Sequence, residues 1–160
     1  MNVNIIAIGK LKEEYLKAAF AEYEKRLSAF CRFSLIEISE CRLSDSPSLK
    51  ETENALDSEG AVILQKLGKS NAYNIALCVE GREMSSEEFA AVLENAPLSG
   101  KSTVNIIIGS SCGLSEKVKH FADLRFSMSR MTFPHQLARV IIAEQIYRGF
   151  MINSGKKYHK

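Results

Sequence analysis

A glycine-bounded loop, Gly109-Ser110-Ser111-Cys112-Gly113, carries residue types that could do chemistry. It matches the GxSxG pattern in which α/β-hydrolases place a serine nucleophile between a strand and a helix, which would make Ser111 the nucleophile. Asp123 and then His135 or His159 follow in the order that such a triad needs. The alternative, which we favour, is that the glycines let the backbone turn tightly and approach a ligand closely. The loop is therefore predicted to be a backbone-lined ligand site.

Two other glycine segments resemble phosphate-binding loops but lack an essential residue. Gly68-Lys69-Ser70 and Gly100-Lys101-Ser102 both end like a Walker A motif. The glycine required five positions earlier is replaced by Ile63 and Asn95. No GxGxxG motif occurs in the chain. We therefore expect neither a P-loop nor an ordinary dinucleotide-binding fold.

The cysteine and histidine spacing predicts no metal site. Zinc sites draw their ligands from short, clustered spacings such as CxxC pairs, and the chain has none. We interpret the cysteines as reduced thiols of a cytosolic protein. They are Cys31, Cys41, Cys78 and Cys112.

The C-terminal end combines cations with an aromatic ring and an imidazole. Lys156 and Lys157 precede Tyr158-His159-Lys160. Residues 125–160 contain seven Lys and Arg residues against Glu144 alone, a charge distribution that indicates an anionic partner such as nucleic acid. In that case Tyr158 could stack on a base and His159 could exchange a proton. The alternative is a solvated tail that serves solubility.

Apolar periodicity predicts an α/β protein with a mostly parallel sheet and helices on both faces, in a single domain spanning 1–160. Ser85 and Glu88 fit a capping box, and the helix they begin is expected to end near Asn95, before Pro97. The predicted strands are 3–8, 33–38, 73–79, 103–108 and 124–128. The predicted helices are 13–30, 49–67, 85–95, a short one after the glycine loop, and 134–152.

The last predicted helix is apolar almost all round, which predicts a homodimer. Leu137, Ile141 and Phe150 lie outside a single stripe, and such a helix needs cover on more than one side. A partner subunit is a natural source of that cover in so small a domain. The start MNVNIIAIGK has no basic leader or cleavage site, and no apolar run has the length of a membrane span, so we expect a cytoplasmic protein.

Four groups of residues closely resemble the ribosomal RNA large-subunit methyltransferase H family, and the resemblance covers the whole chain. The MTFPHQL and EQIYR stretches are the specific ones. The groups are Ile106–Gly109 with Gly113-Leu114-Ser115, the segment SMSRMTFPHQL at 127–137, EQIYR at 144–148, and Tyr158-His159-Lys160.

The resemblance implies a SPOUT-type fold with a C-terminal trefoil knot, the knot and cofactor loops lying at about 73–160. It also implies a homodimer that uses S-adenosylmethionine to methylate N3 of a pseudouridine in 23S ribosomal RNA, within the large subunit or the assembled ribosome. A non-catalytic ribosome-binding protein of the same fold is the main alternative. Relatives commonly have a second glycine where this chain has Ser110, which leaves the geometry of the loop open.

The resemblance implies the cofactor-binding residues of the site, whereas the catalytic and RNA-binding roles are our own hypothesis from the residue types. Tyr158 and His159 are the expected catalytic residues, positioning or deprotonating the acceptor base. Arg130, Arg139 and Lys160 are expected to hold RNA phosphates. The expected cofactor-binding residues are Leu77, Gly109, Met128, Ser129, Arg130, Met131, Thr132 and Phe133.

Overall fold

The computed structural model describes residues 1–68 and 71–155. Its strands form one five-stranded sheet of order β2-β1-β4-β3-β5, in which every pair is parallel. The strands are β1 (Asn2–Ile8), β2 (Arg32–Ile38), β3 (Ala72–Glu83), β4 (Thr103–Ile108) and β5 (Leu124–Ser127). The helices are α1 (Glu14–Leu27), α2 (Leu49–Leu67), α3 (Ser86–Leu98), α4 (Glu116–Phe121) and α5 (His135–Asn153).

Helices cover both faces of the sheet, as predicted. On one face α5 packs between α1 and α3, over apolar side chains such as Ile5 and Ile106. On the other face α2 and α4 cover Ile6, Ile8 and Ile107. The central strands are therefore apolar on both faces, as buried parallel strands require. Within the described residues, no helix is long and apolar enough to cross a membrane.

A ladder of side-chain hydrogen bonds fixes the strand register. Ser34 Oγ donates to Asn4 Oδ1 at 2.6 Å, and Asn4 Nδ2 donates to Asn105 Oδ1 at 2.9 Å. Asn105 Nδ2 then donates to Asn74 Oδ1 at 2.9 Å. Because each buried amide needs its neighbour at the same height, slipping one strand would leave polar groups unpaired.

Local signals set the helix ends, but two predicted ends are wrong. Helix α1 ends at Leu27, three residues before the predicted end at residue 30. The capping box of Ser85 and Glu88 is confirmed, and Ser48 forms a second one at the start of α2. The predicted end of α3 near Asn95 is wrong, because the helix continues through Pro97 to Leu98. Proline removes one backbone donor, and here it lies in the last turn, which the Ser99 N–H closes by donating to the Asn95 carbonyl.

Candidate functional site

The carboxyl ends of three adjacent strands open onto a cavity of about 640 Å³. Strands β4, β3 and β5 are neighbours in the sheet. The segments that follow Ile108, Leu77 and Ser127 therefore lie side by side and line the cavity together. Ligands of open α/β sheets bind outside the carboxyl ends of the strands. The topology therefore places a ligand site here.

The glycine loop, Gly109–Gly113, forms one wall of this cavity. The Gly113 N–H donates to the Ser110 carbonyl at 2.9 Å, and Gly113 has a positive φ of 88°. A Cβ on Gly109 would overlap the Gly113 carbonyl group, so residue 109 has no room for a side chain. The tight turn predicted from the glycines is confirmed.

The segment between β5 and α5 forms a second wall. Ser127 Oγ donates to the Ser129 carbonyl at 2.9 Å, and the Met131 N–H donates to Ser129 Oγ at 3.1 Å. These two bonds hold the segment in a compact turn. Its side chains in the lining are Met128, Ser129, Met131, Thr132 and Phe133.

A bulge in β3 forms a third wall. The predicted strand end at residue 79 is wrong, because β3 continues past this bulge to Glu83. Leu77 pairs with Phe126, and after the bulge Arg82 pairs with the same Phe126, so residues 78–81 loop out of the ladder. A Cβ on Gly81 would lie 2.6 Å from the Phe126 carbonyl carbon. A glycine inside a strand pattern is the signal that could have indicated this bulge.

One ion-paired cluster lies in the otherwise largely apolar lining. Lys119, whose side chain is 13% exposed, pairs with Glu80 from the bulge and with Glu116 at 2.9 Å. The Lys119 hydrogen bond is the main cause that lowers the pKa of Glu80. Burial acts to lower the pKa of Lys119, but its hydrogen bonds to both carboxylates outweigh burial and raise it. Glu80 and Lys119 are therefore both charged at neutral pH.

The first turn of α5 closes the cavity with His135 and Ala138. Burial, followed by the charge of Arg139, lowers the pKa of His135 below its ordinary value. The imidazole is therefore neutral at pH 7.

Arg139 is buried rather than exposed, so the structure gives it a packing role, and its expected contact with RNA phosphates stays a prediction. Its side chain is 0% exposed. Nη2 donates to the Ile8 carbonyl at 2.6 Å, and Nη1 lies 3.3 Å from Glu37 Oε1. The guanidinium thus joins α5 to the carboxyl ends of β1 and β2.

The other predicted site residues lie outside the cavity lining, outside the described residues, or in the lining itself. Arg130 lies outside the cavity lining, with its side chain 94% exposed and Nε 3.4 Å from Glu83. Tyr158, His159 and Lys160 lie outside the described residues. Seven of the eight expected cofactor-binding residues line the cavity: Leu77, Gly109, Met128, Ser129, Met131, Thr132 and Phe133.

The serine-hydrolase interpretation is wrong, because its nucleophile and acid lie at opposite edges of the sheet. Ser111 follows β4 at the carboxyl edge. Asp123 precedes β5 at the amino edge, where it accepts from the Asn74 N–H at 2.8 Å and pairs with Lys101 at 3.1 Å. Among the described residues there is also no group of His, Cys, Asp and Glu that could hold a metal ion.

Comparison with known proteins defines the class first. The family model described as "Predicted SPOUT methyltransferase" matches residues 1–159. A solved structure titled probable methyltransferase, from Bordetella pertussis Tohama I, superposes with a TM-score of 0.54. It covers 92% of this chain and 95% of its own at 14% identity, and so shows the fold alone. The chain has the SPOUT methyltransferase fold, while the threading of the trefoil knot stays a prediction.

Close relatives define the family. Proteins named ribosomal RNA large subunit methyltransferase H from Ligilactobacillus salivarius (strain UCC118) and Clostridium botulinum (strain Langeland) are 49% and 48% identical over 160 residues. Both alignments cover 100% of this chain and of the relative. The chain therefore belongs to the ribosomal RNA large subunit methyltransferase H family. The predicted enzyme class and methyl donor are confirmed: it is an S-adenosylmethionine-dependent methyltransferase.

Proposed function

We propose that this protein methylates N3 of a pseudouridine in 23S ribosomal RNA, and that S-adenosylmethionine binds in the cavity at the carboxyl ends of β3, β4 and β5. The observation that carries the proposal is the convergence of three loops, far apart in sequence, whose predicted donor-binding residues share this one cavity. The names of the relatives support ribosomal RNA as the substrate. Work on ribosomal RNA would place the protein in the cytoplasm.

The lining suits the flat adenine ring of the donor. Leu77, Leu114 and Phe133 offer apolar surface for an adenine ring. At Gly109 a Cβ would overlap the Gly113 carbonyl group, so this position has no room for a side chain. Only the backbone amide and carbonyl groups of Gly109 can therefore contact the ligand. A bound sulfonium donor supplies an already activated methyl group, so the chain's own work is to bind, orient and exclude water.

The acceptor nitrogen must lose a proton, and the catalytic residues we propose are those of the C-terminal tail. Tyr158 and His159 are the titratable and aromatic groups there, and Lys160 is proposed to hold phosphate with Arg130. Arg130 is exposed between two residues of the cavity lining, Ser129 and Met131, so a phosphate bound to it would lie next to the site.

We also propose that the protein is a homodimer with α5 at its interface. The inner side of α5 is buried through Ala138, Ile142 and Ile146. Leu137 is exposed on the same helix, and Val140 and Ile141 are only half-buried. A second copy would cover them. Light scattering should give about 36 kDa, twice the chain mass of 17.8 kDa, and a monomer would contradict this step.

The test is methyl transfer to ribosomes that lack the modification. Purified protein is incubated with labelled S-adenosylmethionine and with free 23S RNA, 50S subunits or 70S ribosomes, and the labelled nucleotide is identified by mass spectrometry of nuclease digests. We expect label on N3 of a pseudouridine. We expect His159→Ala or Tyr158→Phe to lower turnover while donor binding persists. Ribosome binding without label would instead support a non-catalytic ribosome-binding protein.

A further inference from the structure

A buried carboxyl group lies directly behind the glycine loop. Glu59, in the middle of α2, is 4% exposed, although burying an acidic side chain carries a large desolvation cost. Its Oε2 accepts from Ser110 Oγ at 3.1 Å, and its Oε1 accepts from the Cys41 N–H at 2.8 Å. The one carboxyl group thereby connects the glycine loop to the segment that follows β2.

The next residue of α2, Gly60, packs against the start of α4 just after the glycine loop. A Cβ on Gly60 would overlap Ser115 Oγ, so α2 and the start of α4 are in direct contact. Ser115 caps α4 by accepting from the Val118 N–H at 3.4 Å. Residue 59 therefore bonds to residue 110, and residue 60 packs against residue 115, on either side of the turn that borders the cavity.

We propose that Glu59 is a positioning residue for donor binding: through Ser110 it holds the Gly109–Gly113 turn in the shape that receives the donor. The inference rests on the proposed location of S-adenosylmethionine in this cavity. It also gives Ser110 a role, since its side chain is anchored on Glu59. Glu59 is not itself a catalytic residue.

Three variants separate positioning from simple stability. Glu59→Ala removes both bonds, and Ser110→Ala removes one. Glu59→Gln keeps a carbonyl that can accept from Cys41 N–H and an amide that can donate to Ser110 Oγ, so it should act as a conservative rescue. Asp57→Ala is the matched control, because Asp57 also links α2 to α4, through Lys117 at 3.0 Å, but on the exposed surface.

Two measurements on the full-length protein test the proposal. Hydrogen exchange without ligand reports the turn itself through the Gly113 N–H, and calorimetry reports S-adenosylmethionine affinity. For Glu59→Ala we expect faster exchange at residues 109–115 and at the Cys41 N–H, which loses its acceptor. We also expect donor affinity weaker by about tenfold or more, equivalent to about 1.4 kcal/mol. Ser110→Ala should fall between, while Glu59→Gln and Asp57→Ala should stay within about threefold of wild type, well below the tenfold that corresponds to 1.4 kcal/mol.

The outcomes separate this inference from the proposed function. If the wild-type protein binds the donor, and Glu59→Ala shows the same hydrogen exchange and the same affinity, the role of Glu59 is overturned. The proposed donor site is not affected by that result. If Glu59→Ala fails to fold, Glu59→Gln provides the test. A folded Glu59→Gln protein that binds the donor as weakly as Ser110→Ala shows no rescue and also overturns the role of Glu59. If the folded wild-type protein does not bind the donor, the proposed donor site fails, and the positioning role fails with it.

Discussion

Replacing Arg139 tests most directly whether this charged residue stabilises the fold from a buried position or binds RNA. We consider Arg139→Met, which keeps most of the side-chain volume but removes the guanidinium. In the folded chain this group donates to the Ile8 carbonyl at 2.6 Å and lies 3.3 Å from Glu37, while its Nε has no hydrogen-bond partner among the described residues. The substitution therefore removes two favourable contacts and one unfavourable one.

The magnitude follows from these three contacts. A hydrogen bond from a charged group contributes about 1.5–3 kcal/mol, and a buried polar atom without a partner costs about 1–3 kcal/mol. Glu37 loses little, because its side chain is 31% exposed and Oε1 still accepts from the Leu11 N–H at 2.6 Å. We therefore expect Arg139→Met to lower the free energy of unfolding by about 1–2 kcal/mol. Arg139→Ala leaves a cavity as well and should lose about 3–5 kcal/mol.

Urea unfolding of both variants measures these changes, and RNA binding at several salt concentrations tests the alternative role. Each phosphate contact contributes about one unit to the slope of log affinity against log salt. We expect Arg139→Met to leave that slope unchanged and the exposed Arg130→Ala to reduce it. Wild-type stability together with a reduced slope in Arg139→Met would show that the guanidinium contacts RNA and that its buried placement is wrong.

Three further predictions concern the side-chain ladder of the sheet, the cap of α3 and the pKa of His135. Asn105→Leu breaks the ladder and leaves groups of Asn4 and Asn74 unpaired, so the free energy of unfolding should fall by about 2–4 kcal/mol in urea titrations; wild-type stability would show that the ladder contributes nothing. Ser85→Ala removes the side-chain cap of α3 and should cost about 1 kcal/mol by the same assay, with no loss of donor binding. Because the pKa of His135 is lowered from 6.5, the unfolded chain takes up a proton there before the folded chain does, so this residue reduces stability as pH falls below about 6.5. His135→Gln should therefore lose less stability than wild type between pH 7.5 and 5.5, and identical losses would refute the shift.

The elements with strong local signals were predictable from the sequence. The predicted bounds of α2 and β4 agree with the structure residue for residue. Helix α2 begins after a serine cap and ends at Gly68, which has a positive φ of 55°. Strand β4 is apolar at nearly every position because both its faces are covered. Such features depend on neighbouring residues, which the sequence displays directly.

Features that depend on distant contacts were not predictable in this way. The bulge of β3 at 78–81 depends on how Gly81 meets Phe126, and the burial of Arg139 depends on a carbonyl 131 residues away. Charge alone made Arg139 resemble a phosphate ligand. Glu59 likewise meets Ser110 across 51 residues, and nothing in its local pattern distinguishes it from a surface acid.

The cavity was accessible through resemblance rather than through periodicity. Loops 109–113 and 128–133 come together only because β4, β3 and β5 are adjacent, and the strand order is not visible in an alternating pattern of strands and helices. Motif likeness supplied the residues that the structure then brought together. Glu80 and Lys119 belong to no quoted motif, so the charged part of the lining was missed.

The central claim is that the backbone at Gly109 lines the methyl-donor site, and calorimetric titration with S-adenosylmethionine tests it most directly. The comparison needs wild type, Gly109→Val, and Gly100→Asn as a control in a positive-φ turn where a Cβ would meet no atom within 4 Å. We predict saturable binding by wild type and Gly100→Asn, and its loss in a folded Gly109→Val protein. Equal binding by all three would contradict the claim and place the donor elsewhere on the molecule.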